Sequence, residues 1–331
     1  MELRWSHLDA TVVPEWAALT NLLAEADGTE EYYEVADLAE ELEETGFTPT
    51  TDSWAVWHGD RMVAHGQVHV GHTRDAEGRV RATLGGGVAP DHRGRGIGRE
   101  LADRMERRAV ELAAERHPGV PSYWRVDGGL EGSSARALWS RRGYEVVRFF
   151  NLLTHPLPGE PVALADVPAR LVSPAEGDEE AVRLAHNRAF ADHWGTAPQA
   201  AGPWHDHWTA RANRMDLSTL ALAPDGEVLA YVLAGQWVDR ELYVNLVGTV
   251  PDARGRGLAA ACLARTLRLA AATESFDRVD LHVDSESPTG ATRLYERLGF
   301  TVKKTFAAMQ RDAGSGADED AVGDQVPDAA E

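Results

Sequence analysis

The feature that most constrains this 331-residue chain is that it repeats itself. GGGVAPDHRGRGIGRELADRMERRAVEL, Gly85 to Leu112, is matched by LVGTVPDARGRGLAAACLARTLRLA, Leu246 to Ala270, and Arg93 and Arg254 stand 161 positions apart. LWSRRGYEVV, Leu138 to Val147, is matched by LYERLGFTVK, Leu294 to Lys303, with Trp139 and Tyr295 156 positions apart. Two motifs that recur in one order at nearly one spacing imply two copies of one fold. The length agrees, because it suits two domains of ordinary size.

Proline and glycine crowd the stretch HPLPGEPVALADVP, His155 to Pro168, which is too restricted in φ to be helical and reads as the interdomain linker. The expected division is a first domain over 1–153, a linker over 154–168, a second domain over 169–311 and a disordered acidic tail over 312–331. The tail holds seven carboxylates and no Lys or Arg. In the second copy, helical patterns near Asp178 to Ala191 and Trp204 to Arg214 precede a hairpin turned at Pro224-Asp225-Gly226. A strand over Leu242 to Val250 then enters the glycine turn, followed by a helix to about Ala271, a strand over Arg278 to Asp284, a helix over Pro288 to Leu298 and a closing strand. The first copy supplies helices near Glu15 to Asp27 and Glu34 to Glu44, and a hairpin over Trp54 to Val70 turned at Gly59-Asp60. The predicted class is α/β with a mixed sheet.

The formal charge is −20, and −13 remains without the tail, which argues against polyanion partners such as nucleic acid. The lone cysteine, Cys262, excludes an internal disulfide and points to a reducing, cytoplasmic setting. No signal peptide and no run of about 18 apolar residues is present, so no membrane association is expected. Cys262 lies mid-helix among Ala and Leu and reads as a buried small hydrophobe.

The turn Arg254-Gly255-Arg256-Gly257-Leu258-Ala259 lies directly between an apolar strand and a helix. The first N–H groups of a helix have no partner and the dipole is positive there, so small residues let a pyrophosphate approach bare backbone. A Walker A loop would need GK[ST], which is absent, and a Rossmann fingerprint would need a strand-end acid about 20 positions on. A purely architectural turn explains one such loop better than two.

The pattern R-x-x-G-x-G/A after a strand, followed some 40 residues later by L-Y-x-x-x-G-F, resembles the acyl-CoA signature of the GNAT N-acetyltransferase superfamily. Two such domains in one chain resemble the mycothiol synthase architecture. The resemblance implies acetyl-CoA as cosubstrate, with the backbone N–H groups of Gly255, Arg256, Gly257, Leu258, Ala259 and Ala260 on the pyrophosphate and Arg254 and Arg256 nearby. It implies that Val247, Gly248 and Thr249 pair with the pantetheine arm, and that a backbone N–H there polarises the acetyl carbonyl. It also implies that Tyr295 donates a proton to the leaving thiolate. In the first copy Trp139 replaces that tyrosine, and an indole N–H is not a usable acid. Val88, Arg93, Gly94, Arg95, Gly96, Ile97 and Gly98 nevertheless keep the turn, so the first domain either holds CoA or serves as scaffold.

GNAT acceptors enter between the first helices and the central strands, which draws attention to Asp192, His193 and Trp194 as substrate contacts. His205 and His207 diverge by about 200° on a helix, and no metal site is expected. No general base is visible: Tyr243 to Val250 contains no carboxylate, Glu241 sits at the outer start of the strand, and water, Asp192 or His193 remain open, with Asp284 and Glu286 weaker. The function expected is acetylation of a primary amine of a small molecule or peptide by direct attack. The alternatives are a mycothiol synthase acting on a cysteinyl amino-sugar inositol and a non-catalytic CoA-binding module.

Overall fold

The computed structural model describes residues 2–159, 162–287 and 290–313. The first half runs β1 (Arg4–Ser6), α1 (Val13–Asp27), α2 (Val35–Glu41), α3 (Pro49–Asp52), β2 (Ser53–His58), β3 (Arg61–Val70), β4 (Val80–Val88), α4 (Ile97–Arg116), β5 (Ser122–Gly129), α5 (Ser134–Arg141) and β6 (Glu145–Pro156). The second half repeats the plan with β7 (Arg170–Val172), α6 (Glu179–Ala189), α7 (Ala201–Thr209), β8 (Thr219–Leu222), β9 (Val228–Gly235), β10 (Glu241–Thr249), α8 (Leu258–Thr273), β11 (Arg278–Asp284), α9 (Ala291–Arg297) and β12 (Thr301–Asp312).

Local chemistry explains most of these bounds. Helix α1 carries Pro14 in its first turn and stops at Gly28, whose φ of 65° lets the closing N–H groups turn back onto Ala24 and Glu25. The β2–β3 hairpin turns at Gly59-Asp60, as expected, with His58 paired to Arg61. Helix α2 ends at Glu41 rather than Glu44, loosening into three-residue turns where Glu43 and Glu44 donate to the Glu40 and Glu41 carbonyls. Helix α7 begins earlier than expected, at Ala201, because Pro203 sits in a first turn where its missing N–H has no carbonyl to meet. Helix α9 begins at Ala291 behind a left-handed Gly290, and the expected start at Pro288 lies outside the described residues.

The twelve strands form one mixed sheet in the order β1-β2-β3-β4-β5-β12-β6-β11-β10-β9-β8-β7. Its centre holds the feature that the sequence did not announce: the halves exchange their last strands. β6 of the first half pairs with β11 of the second, β12 of the second pairs with β5 of the first, and β6 and β12 pair with each other. Phe150 and Phe306, themselves 156 positions apart, are register partners in that central pair, so a pseudo-twofold axis passes between them.

The exchange extends into the cores. Leu153, fully buried, packs in the second half's core with Leu281 and Val279, and Met309, fully buried, packs in the first half's core with Trp124 and Trp139. β6 also runs to Pro156, into the stretch read as linker, and β12 takes in Asp312, with Ala313 bonded to Ser122 beyond it. Glu160 and Pro161 of the linker and the tail from Gly314 lie outside the described residues. Among the described residues no helix is long and apolar enough to cross a membrane.

Candidate active site

Each glycine turn joins a central strand to the long helix of its half. Gly255 and Gly257 have φ of 75° and 76°, in the left-handed region that favours glycine, and a Cβ at Gly255 would find nothing within 4 Å. The first backbone bond of α8 runs from the Ala261 N–H to the Gly257 carbonyl at 3.0 Å, which leaves the N–H groups of Leu258, Ala259 and Ala260 without a carbonyl one turn back. The result is an open cradle of backbone donors at a positive helix end, and a pyrophosphate fits it. The first half repeats the left-handed pair at Gly94 (φ 74°) and Gly96 (φ 88°) ahead of Ile97 and Gly98, but there the Arg99 N–H already bonds the Gly96 carbonyl at 3.1 Å.

The arginines of the turn do something other than the expectation gave them. Arg254 grips the Asp192 carboxylate at 2.6 and 2.9 Å and the Ala189 carbonyl at 2.9 Å, and this pairing holds the Asp192 carboxyl below its ordinary range. Arg93 grips Asp27 at 2.7 and 2.6 Å and the Val88 carbonyl at 2.9 Å. Arg256 and Arg95 fold back onto the Asp252 and Asp91 carbonyls at 2.6 and 3.0 Å. The leading arginine thus ties the turn to the end of the first helix of its half.

Beside each turn the sheet parts. β10 and β11 are paired in parallel at Glu241–Arg278, Leu242–Val279 and Tyr243–Asp280, and no further, although both strands continue. A register shift at Asn245 bends β10 away, so Val247, Gly248 and Thr249 stay paired to β9 and turn an unpaired edge toward β11. Gly248 is required there, since a Cβ would lie 2.4 Å from the ring of Tyr231, whose hydroxyl is bonded to His186 Nδ1 at 2.7 Å. β4 and β5 part in the same way after Thr83–Arg125. Such a free strand edge can take an extended chain of amide groups as an added strand.

At the root of the second splay lies a cavity of about 270 Å³. β10 contributes Glu241, Tyr243 and Asn245 to it, β11 contributes Asp280 and His282, and the loop after α1 of the other half contributes Glu30, Glu31 and Tyr33. Tyr243 Oη lies 2.6 Å from His282 Nδ1. Burial pushes the Tyr243 and Tyr33 phenols above their ordinary range and His282 below its own. Glu31, open to solvent across the cavity yet crowded by protein, is raised to about 7 by desolvation and by the like charge of Asp127. Burial and Asp280 likewise raise Glu241, against the pull of Arg278. Sequence reasoning missed Glu31, Tyr33, Tyr243 and His282, because the cavity is assembled from both halves.

Tyr295 stands on α9, the helix that follows β11, buried and edge-on to Phe300 at 6.0 Å. Burial pushes its phenol up to about 12, which keeps it protonated at neutral pH. The equivalent Trp139 is buried against Tyr144 at 4.9 Å. The three expected acceptor contacts do not line the cavity: Asp192 is held by Arg254, His193 Nδ1 faces the Trp194 carbonyl at 3.2 Å, and Trp194 crosses to the first half. Trp194 sits there because the loop after α6 reaches over the opposite half, as the loop after α1 does. Cys262 is fully buried and its thiol is pushed up to about 12, an inert side chain. Among the described residues no group of three His, Cys, Asp or Glu could hold a metal ion.

The sequence model of the Acetyltransferase (GNAT) family matches residues 16–144 and 180–300. The chain belongs to the GNAT family. This GNAT protein is 31% identical over 325 residues to a mycothiol acetyltransferase of Geodermatophilus obscurus, covering 89% of this chain and 92% of that one. It is 35% identical over 226 residues to a mycothiol acetyltransferase of Salinispora tropica, covering 64% and 67%. In fold it is similar to a GCN5-related N-acetyltransferase from Sphaerobacter thermophilus (TM-score 0.71, 23% identity, 94% and 96% covered). It is similar as well to a tandem GNAT protein from the clavulanic acid biosynthesis pathway (0.68, 18%, 95% and 99%). The protein is an N-acetyltransferase with acetyl-CoA as acetyl donor.

Proposed function

We propose that residues 169–311 form the catalytic half, with 1–153 its catalytically silent copy, and that the acetyl group passes by direct attack to a primary amine of a small molecule seated in the cavity between the halves. In this reading the N–H groups of Leu258, Ala259 and Ala260 hold the pyrophosphate, and the free edge of Val247 to Thr249 pairs with the pantetheine arm. From Thr249 to Asn245 is about 13 Å of strand, which leads from the helix end to the root of the splay. The observation that carries the reading is this convergence: an anion cradle, a parted strand pair and an acid-lined cavity lie in one line. Glu30, Glu31, Glu241 and Asp280 favour a protonated amine over a neutral or anionic acceptor. Tyr295, kept protonated by burial, donates to the departing thiolate.

A second reading names the acceptor as the cysteinyl amino-sugar inositol of mycothiol synthesis. Its support is the relative from Geodermatophilus obscurus, named a mycothiol acetyltransferase and matched over 92% of its length. Acetylation assays with that amine beside simple amines separate the two.

The cofactor reading is tested by titrating acetyl-CoA calorimetrically into the wild type and Gly257→Glu, which sets a carboxylate in the cradle and a side chain at a left-handed φ. Loss of one binding event in the variant is expected. Unchanged binding would move the cofactor to the first half, and no binding in the wild type would return both turns to architecture.

A further inference from the structure

The incoming amine arrives as an ammonium ion, and β10 offers no carboxylate beyond Glu241 to deprotonate it. The cavity offers a different group. His282 is the first cavity-facing residue of β11 beyond the last parallel pair, Tyr243–Asp280, and so stands at the root of the splay. Its Nδ1 is 2.6 Å from Tyr243 Oη, and both side chains line the cavity. With the phenol donating across this 2.6 Å contact, Nδ1 accepts and the neutral ring carries its proton on Nε2, and this is the arrangement the relay requires.

We propose that His282 is the terminal proton acceptor for the substrate amine, reached through the hydroxyl of Tyr243. The proposal rests on acetyl transfer taking place in the second half. The ammonium gives one proton to Tyr243 Oη as the Tyr243 proton moves to His282 Nδ1. The freed nitrogen lone pair forms the N–C bond to the acetyl carbon, and the C–S bond breaks with its electron pair going to sulfur. Tyr295 protonates that sulfur, and the second N–H proton restores the Tyr295 phenol. The products are the amide, the CoA thiol and one proton, carried on His282 until water removes it.

The surroundings suit this role. Burial lowers His282 more than Asp280 raises it, so the ring is neutral and able to accept at neutral pH. The groups facing it are Tyr243 and Glu241 from β10, Asp280 on its own strand, the Phe306 ring of β12 at 5.3 Å, and Glu30, Glu31 and Tyr33 from the loop after α1. Lys303 and Lys304 of β12 are paired to Glu30, and Asp280, itself bonded to Arg278 at 3.1 Å and 4.0 Å from Lys303, still pulls His282 toward the imidazolium. Glu31 is the rival base, but it belongs to a loop of the other half and lies toward Asp127.

The test is a pH profile of kcat/KM for wild type, His282→Gln, Tyr243→Phe and Glu31→Gln, with the cysteinyl amino-sugar inositol, spermidine and benzylamine as probes. Wild type loses activity as pH falls through the His282 pKa, below the ordinary imidazole range. His282→Gln is expected to lose about 100-fold or more at pH 7 and to lose that acid limb, with acetyl-CoA affinity unchanged. Tyr243→Phe is expected to lower kcat and erase the same limb while leaving KM for acetyl-CoA alone. With trifluoroethylamine, already neutral at pH 8, the gap between wild type and His282→Gln should narrow. Retention of the limb and of near wild-type rate in His282→Gln, or loss of the limb in Glu31→Gln alone, overturns the assignment while the transferase reading stands. Absence of turnover in wild type with every amine overturns both.

Discussion

The two halves place opposite chemistry at one structural position. In the second half the last parallel pair before the sheet parts is Tyr243–Asp280, and in the first it is Thr83–Arg125. The second site is acidic and open. At the first splay Trp194 lies under Arg125 at 4.3 Å and under Arg148 at 4.7 Å, and Arg81 donates to the Gly195 carbonyl at 3.2 Å, while a larger cavity of about 820 Å³ opens beside Arg81 and Thr83. In both halves the loop after the first helix reaches across the pseudo-twofold axis to the other half's splay. Both loops border a cavity, but the one after α6 also sets the Trp194 indole against two guanidinium groups. The lesson is that one copy of a duplicated fold can keep its cofactor turn while the residues at its acid position and at its splay diverge. The first half keeps Gly94 and Gly96 in the left-handed conformation while carrying Trp139 where the second half has Tyr295.

This comparison can be broken most sharply at the two equivalent aromatic positions. Tyr295→Phe should lower kcat by about 10²- to 10⁴-fold with little change in acetyl-CoA affinity, whereas Trp139→Phe should leave turnover near wild type; steady-state kinetics on both variants decides it. Equal losses would mean that neither residue acts as the acid.

The next effect concerns the exchange of strands. Met309 belongs to the second half by sequence and to the first half's core by packing, so Met309→Ala should cost about 2–5 kcal/mol. Hydrogen exchange should report the loss around Trp124 and Trp139 rather than around Leu281. A loss confined to the second half's amides would contradict the exchanged sheet.

The smallest effect is expected at the first splay. Trp194→Ala removes two cation–π contacts, worth roughly 1–2 kcal/mol together. It is expected to create no turnover in the first half, because Trp139 remains. Chemical denaturation measures the first part, and acetyl transfer by Trp194→Ala in a Tyr295→Phe background measures the second. Any activity there would give the first half a catalytic role.

Much of this was legible in the residues, for a stated reason in each case. The hairpin at Gly59-Asp60, the left-handed glycines of both turns and the long helices α4 and α8 follow from local chemistry, and local chemistry is written in consecutive residues. Asp192 and Trp194 were noticed for their chemistry and expected at the acceptor; the structure sets one against Arg254 and the other under Arg125 of the opposite half, and neither lines the cavity at the second splay. Residue type told that they matter, but no local rule told which half they face. Glu31 and His282 drew no notice at all, because they are 251 positions apart and become neighbours only across the half–half boundary.

The sequence by itself determined that the chain is a duplicated mixed α/β fold with a phosphate-ready turn in each copy and a phenol in only one. Those properties depend on periodicity, glycine and residue identity at fixed spacing, all of which survive without coordinates. The tertiary structure alone decided which strand completes which sheet, which loop covers which chamber and which carboxylates share the cavity. The strand exchange is favoured because each last strand buries its apolar face, Leu153 in one case and Met309 in the other, in the opposite core, and a repeat pattern that is the same in both halves cannot state which partner it will choose.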